Sequence, residues 1–387
     1  MRICVLFEGN IYQLRGEFIT IHNRMKYMVK DPDLSVSIYV IQSYYDNLTN
    51  WIRGNKQIEL KKDFCLDGIL YHCLYYKRSY LDYFCRSISQ RQTTIEAHRV
   101  RRFEKLFSGF DLLFSHSLYT GLLALDLKRK KRIPYVMMWH GSSIHTLPFE
   151  NKTTFSLTKT VLQNANHNFF VSEKLYETAK HIAGSGSDII GSVSLNGVDT
   201  QVYHQYDDEK KKRIATQLHV DLNKKNIAYI GNYLPIKNVH YLPSLFLSVY
   251  KACPNTCFHI IGNGNFKNDF LELDLPVVFW GNQLPENMPN LYNCMDLIVL
   301  PSKNEGLPMT CLEALSCGTS FVGSRVGGIA DAVGINNTIP LTETFEADFA
   351  NLCIEKLSST TQISTFLPDK FNIENVVRQE VEVLTAL

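Results

Sequence analysis

Nowhere does the chain run to eighteen consecutive apolar residues, about the length a helix needs to cross a bilayer, so no membrane span is expected. Its opening, MRICVLFEGN, enters an apolar β-rich run at once. It lacks the basic region, long apolar core and small-residue cleavage site of a leader, and a cytosolic location is expected. The ten cysteines are scattered. The close pair Cys253 and Cys257 has neither a second pair nor histidines at zinc spacing, so reduced, partly buried thiols are expected instead of a metal site or disulfides. No G-x-G-x-x-G run follows the first strand, which argues against the usual dinucleotide fingerprint, and no D-x-D pair stands in a loop suited to a metal.

What is present is an ordinary globular composition, 45% hydrophobic and 20% charged, over 387 residues. That length suits two domains of about 190 residues, each with its own core. The net charge of +2 hides an asymmetry: residues 1–200 carry 26 Lys+Arg against 18 Asp+Glu, the remainder 14 against 20. The aromatic stretch Tyr71 to Phe84, the cluster at Arg99 and the run Lys128 to Arg132 all lie in the basic half. A helix with snorkelling cations explains Tyr71 to Phe84 most simply, and an interfacial surface meeting anionic lipid is the alternative.

Strand–loop–helix units recur throughout. Arg2 to Phe7 and Val36 to Ile41 predict strands, and Phe110 to Ser117 and Ile133 to Ser143 predict strands ending in His116 and His140, where open α/β sheets place ligands. The densest stretch is DLIVLPSKNEGLPMTCLEALSCGTSFVGSRVGGIADA, Asp296 to Ala332. A short buried strand ends at Pro301, Pro308 suits the first turn of a helix, Gly318 stops it, and Thr319 to Gly323 forms the next strand. The first N–H groups of that helix, near Met309 and Thr310, have no intrahelical partner and sit at the positive end of its dipole, which favours a phosphate. Gly306 allows close approach. Glu305 and Glu313 flank the position, and carboxylates beside a phosphate are best employed in holding neutral hydroxyls. A nucleotide sugar combines these groups. A lysine near the helix start after the strand at Asn226, Lys237, would add a point charge for the diphosphate.

Glu305 and Glu313 in EGLPMTCLE, followed by Ala314, Gly318 and Gly327-Gly328, resemble the Glu-x7-Glu signature of retaining GT-B glycosyltransferases of glycosyltransferase family 4. The resemblance implies an α/β GT-B fold, two Rossmann-like domains facing each other across a cleft. The implied divisions are 1–198 for the acceptor, 199–369 for the nucleotide sugar, and a helix in 370–387 crossing back to the first domain. It implies catalytic roles for His140, Lys237 and Glu305. Donor contacts are implied at Gly16, Asn232, Gly262, Asn263, Gln283, Leu284, Gly306, Leu307, Pro308, Met309, Thr310 and Glu313, with Glu305 facing the sugar and Glu313 the ribose. Asn232 and Asn238 depart from the family pattern, which has arginine and glycine there; the first change removes a cation.

The expectation is thus a retaining transferase that needs no metal or other cofactor. It would move a sugar from a nucleotide donor to a saccharide or lipid-linked acceptor in bacterial polysaccharide, lipopolysaccharide or capsule synthesis. UDP, GDP and other bases remain open. Expected partners are the nucleotide sugar, the acceptor and the inner membrane surface through the basic half, with no nucleic acid. A sugar-nucleotide epimerase of the same fold and a non-catalytic nucleotide-sugar-binding subunit are the rival expectations.

Overall fold

The computed structural model describes residues 1–387 apart from 13–16, 46, 48–49, 51–58, 79–81, 83–91, 185–187, 271 and 359–366. The chain divides into two compact units, Met1–Leu195 with Glu374–Leu387, and Asn196–Ile373.

The first unit is built on eight strands among the described residues: β1 (Arg2–Glu8), β2 (Ser35–Tyr45), β3 (Asp63–Leu66), β4 (Ile69–Arg78), β5 (Leu112–Ser115), β6 (Tyr135–Trp139), β7 (His167–Phe170) and β8 (Gly191–Val193). Their spatial order is β3-β4-β2-β1-β5-β6-β7-β8. Every pairing is parallel except β3 with β4, which turn through Asp67 (φ 50°) and Gly68 (φ 77°), the left-handed pair that a tight hairpin needs. Ile3 to Phe7 of β1 are fully buried, with Val5 opposite Ile38 on one side and Phe114 on the other. A strand covered on both faces must be apolar throughout, and the sequence is.

The helix expected across Tyr71 to Phe84 is overturned: its first part is β4, paired in register with β2 from Ile38–Tyr71 to Tyr45–Arg78. Aromatic residues fit a pleated surface, and Ile69, Tyr71 and Cys73 alternate inward against an exposed Leu70. Nor does Arg78 snorkel to water, for its Nε lies 2.9 Å from the buried carboxylate of Glu96. Lys128 to Arg132 close the helix Leu118–Lys131. There Lys128 donates to the Asn164 carbonyl at 2.7 Å and Lys130 pairs with Glu104 at 2.6 Å, so much of this basic run is already engaged.

The second unit carries six parallel strands among the described residues: β9 (Lys225–Ile230), β10 (Thr256–Ile261), β11 (Val277–Gly281), β12 (Leu297–Leu300), β13 (Ser320–Ser324) and β14 (Thr338–Ile339). Their order is β11-β10-β9-β12-β13-β14. The chain steps outward from β9 in one direction and then returns to β9's other side with β12. Such a reversal leaves a crevice at the carboxyl ends of the two strands, where open α/β sheets bind ligands. β1 and β5 make the corresponding reversal in the first unit.

The helix Ile373–Thr385 belongs with the first unit from Glu374 onward. Its Glu380, fully buried, accepts from Arg24 Nε at 2.9 Å and from the Ser194 hydroxyl.

Candidate functional site

In the second unit the reversal brings the loop after β9 against the loop after β12. Lys237 follows β9 in a single 3-10 turn, and its Nζ donates to Glu305 Oε1 at 2.6 Å. Ser302, fully buried two residues past β12, donates to the same carboxylate oxygen at 2.6 Å. Backbone joins the loops as well, Lys303 N donating to the Ile236 carbonyl at 2.8 Å. Lys237 and Glu305 retain 25% and 10% of their side-chain exposure, so the pair is neither solvated nor sealed. A ligand can still reach it. Asn238 stands at φ 59°, a left-handed position that glycine takes freely and asparagine tolerates, so its departure from glycine leaves the loop's path unchanged.

Gly306 and Leu307 are held from two sides. Gly328 N donates to the Gly306 carbonyl at 2.6 Å, and Asn196 Nδ2 donates to the Leu307 carbonyl at 2.9 Å. Gly327 has φ 55°, and a Cβ there would collide with the carbonyl oxygens of Glu305 and Gly306. The paired glycines therefore let this segment press on the signature loop. Pro308 is the residue before the helix, not part of its first turn as expected: its backbone is extended (φ −71°, ψ 131°) and the helix runs Met309–Ser316. No side chain caps this start. Thr310 Oγ1 is buried without a hydrogen-bond partner, leaving an unmet polar group beside the N–H groups of Met309 and Thr310.

Glu313, one turn into that helix, is buried, and the Tyr292 hydroxyl donates to its Oε2 at 2.7 Å. Burial pushes its carboxyl up to about 7, partly offset by the hydroxyls of Tyr292 and Tyr203. Tyrosine hydroxyls thus hold the Glu313 carboxyl in place.

The remaining donor candidates lie at the ends of β9, β10 and β11. Asn232 Oδ1 accepts from Asn263 N at 3.2 Å and Tyr233 N donates to the Asn263 carbonyl at 2.8 Å, tying the first two loops together. Gly262, at φ 142°, packs so closely that a Cβ would strike the Gly231 carbonyl. Gln283 Nε2 donates to the Trp280 carbonyl at 2.8 Å and Leu284 is 60% exposed. Gly262, Gly264, Phe266, Trp280 and Gly281 line a cavity of about 330 Å³. Trp280 stacks on His259 and donates its Nε1–H to His259 Nδ1 at 3.0 Å.

His140 is in the first unit. It precedes the short helix Gly141–His145 and is buried, its Nε2 3.3 Å from His116 Nδ1 and 4.0 Å from Glu17 Oε1. Burial, then the charge of Arg24, pushes it down to about 3; burial, His140 and Arg24 push His116 down too. Both rings are neutral near pH 7. Glu8, at the end of β1, is pushed up to about 7 chiefly by burial, and Glu17 upward by burial and the charge of Glu8. Glu17 keeps 38% of its side-chain exposure, so solvent moderates its shift. Gly16 lies outside the described residues. Sequence reasoning missed Ser302, Tyr203, Tyr292, Glu8 and Glu17. Only Ser302 carried a local signal, as the polar residue after a strand-ending proline. Among the described residues no three His, Cys, Asp or Glu side chains are grouped to hold a metal ion.

Residues 76–202 match the profile for Glycosyltransferase Family 4 and residues 224–359 that for Glycosyl transferases group 1. A protein of Bacillus subtilis provisionally named a teichuronic acid biosynthesis glycosyltransferase is 28% identical over 226 residues, covering 58% of this chain and 55% of that protein. The UDP-Gal:alpha-D-GlcNAc-diphosphoundecaprenol alpha-1,3-galactosyltransferase of Escherichia coli is 25% identical over 277 residues, 63% of this chain and 65% of that protein. The chain spans a little over half the length of the curated relatives it matches. Among solved structures, the Anabaena protein Alr3699/HepE in complex with UDP superposes with a TM-score of 0.73 over 100% of both chains at 18% identity. A sucrose-phosphate synthase from Thermosynechococcus elongatus gives 0.74 at 13% identity over 100% of this chain and 98% of that one. Two parallel-sheet units with these neighbours make the fold GT-B.

Proposed function

Since the chain belongs to the GT-B glycosyltransferases of family 4, group 1, we propose that it transfers a glycosyl group from a nucleoside diphosphate sugar to a saccharide or lipid-linked saccharide hydroxyl. The observation that carries this is the Lys237–Glu305–Ser302 cluster, at the reversal between β9 and β12 and a few residues before a helix start with an unmet Thr310 hydroxyl.

The bond between the anomeric carbon and the diphosphate oxygen breaks with its electron pair passing to that oxygen. Lys237 and the N–H groups of Met309 and Thr310 meet the growing charge, with Asn232 ordering the adjoining loop. A new bond forms from the acceptor oxygen to the anomeric carbon on the face the diphosphate leaves, so configuration is retained. The acceptor proton goes to the departing phosphate oxygen. Glu305 holds Lys237 and faces the sugar, His140 serves the sugar and diphosphate as a neutral hydrogen-bonding ring, and Glu313 holds the ribose. On this reading no metal is required. UDP is the favoured nucleotide because a structural neighbour is described with UDP and a relative is named for UDP-galactose. Bacterial polysaccharide synthesis is the favoured setting, from the same names and that of the Bacillus subtilis relative. The reaction would take place on the cytoplasmic side, with the basic first half allowing peripheral contact with the inner membrane.

The test is a thermal-shift panel of UDP- and GDP-sugars, since a ligand at a hundred times its Kd stabilises by about 2.7 kcal/mol. Transfer is then assayed with and without a chelator, and the product's anomeric configuration read by NMR. Inversion, or loss of transfer on chelation, would refute the respective claim. Glu8 and Glu17 in the first unit, both held toward neutrality, keep an epimerase as the second reading. Incubating donor alone and finding an isomerised sugar would favour it.

A further inference from the structure

The first unit contains a cavity of about 330 Å³ at the carboxyl ends of β1 and β5, the reversal point of its own sheet. Glu8, Glu17, His116, Ser117, Ser143 and Glu150 are among its lining residues. His116 is fully buried, and while its Nδ1 meets His140 its Nε2 has no partner. A buried ring nitrogen left unmet on the wall of a cavity is a group waiting for a ligand donor or acceptor.

Among the described residues no lysine or arginine lines the space. The cations nearby are committed elsewhere: Arg78 to Glu96 at 2.9 Å and Arg24 to Glu380 at 2.9 Å. The volume is at the lower end of the roughly 300–1,000 Å³ of small-molecule pockets, room for a saccharide residue and not a long chain. Resting on the glycosyl-transfer reading above, we infer that this cavity receives the acceptor, and that the residue entering it is an uncharged, polyhydroxylated sugar bearing neither phosphate nor carboxylate. Protonated carboxyls, serine hydroxyls and the neutral imidazole of His116 can both accept and donate, which matches the amphoteric hydroxyls of a sugar. Among the described lining residues an anionic group would meet Glu8, Glu17 and Glu150 and no lysine or arginine. The carboxyls' upward shifts fit the same picture, because a partly protonated pair is a poor host for a fixed cation and a good one for alcohols.

Saturation-transfer NMR on the full chain, with methyl α- and β-hexosides, N-acetylhexosamines, glucuronate and hexose 6-phosphates as probes, tests this. A neutral glycoside should bind, and the uronate and phosphates at least tenfold more weakly. Glu17→Ala should weaken the neutral sugar at least tenfold, and Glu17→Lys should admit glucuronate. Glu8→Ala is the second variant, its folding checked by circular dichroism. Preference for an anionic sugar, indifference to both alanine substitutions, or binding of none of the probes would overturn the inference. UDP titrated separately by calorimetry keeps the two readings apart: lost UDP binding with intact sugar recognition strikes only the donor assignment.

Discussion

The two units solve one topological problem with different materials. Each has a parallel sheet that reverses its winding beside a central strand, β1 in the first and β9 in the second, and each sets candidate ligand groups at that point. In the second unit the construction is mostly backbone: Gly262 against the Gly231 carbonyl, Gly327 against the Glu305 and Gly306 carbonyls, and one exposed-enough ion pair. In the first it is side chains, two carboxylates and two buried imidazoles whose proton affinities are displaced by burial. A backbone cradle suits a ligand portion that does not vary, such as a diphosphate. A side-chain cradle can be rewritten one residue at a time, which suits the choice of acceptor.

The largest effect that would sharpen this contrast is at the glycines. Gly262→Ala and Gly327→Ala place a Cβ on carbonyl oxygens at positive φ, and each should destabilise by about 3 kcal/mol or more. Gly9→Ala, after β1, meets only the side chains of Phe7, Phe18 and Val40 at 3.0–3.3 Å, which can shift, and should cost about 1 kcal/mol. Urea unfolding of the three variants measures both; equal costs would erase the distinction between the loops.

Next is Glu313. Its carboxyl is raised to about 7 in the folded chain, mainly by burial, so the folded state holds this proton where the unfolded chain has released it. The group therefore lowers stability as pH rises from about 4.5 to 7, and leaves it unaffected at lower pH. Glu313→Gln, which keeps an acceptor for Tyr292, should gain on the wild type across that window by an amount of order 3 kcal/mol. Parallel pH–stability curves for the two proteins would show that Glu313 ionises freely.

How much of this could be seen in the sequence follows the same division. Most of the strands and the helix after Pro308 were legible because glycines and a strand-ending proline tie residue type to backbone path; Lys237 was read as a charge for the diphosphate, and its bond to Glu305 is seen only in the structure. Glu8 and Glu17 were not, because they meet only through the end of one strand and the start of the following helix, with no spacing that marks a site. β4 was mistaken for a helix because Lys77 and Arg78 disguised an alternating strand whose arginine is neutralised by a distant Glu96. The Gln283 side chain is bonded to the Trp280 carbonyl, a local contact that no motif reveals and that leaves its backbone groups out of account.

A smaller effect is expected at the ion pair. Lys237→Ala and Glu305→Ala should each lower turnover at least tenfold, about 1.4 kcal/mol of transition-state stabilisation. Because the partners are 2.6 Å apart, their double variant should lose much less than the sum of the two. Additive losses in kcat/KM would separate the residues into independent roles.

The smallest effect is at Asn232, where the family pattern has arginine. If the asparagine were only a missing cation, Asn232→Ala would change nothing. The structure gives it work, since its Oδ1 accepts from Asn263 N and so joins the loops after β9 and β10. Losing one such bond on a partly exposed loop is worth about 1 kcal/mol. Asn232→Ala should therefore weaken UDP about fivefold by calorimetry, with the acceptor-side response to neutral glycosides unchanged. Unaltered UDP affinity would show that the second unit's cradle stands on its glycines alone, and would make its contrast with the first unit sharper still.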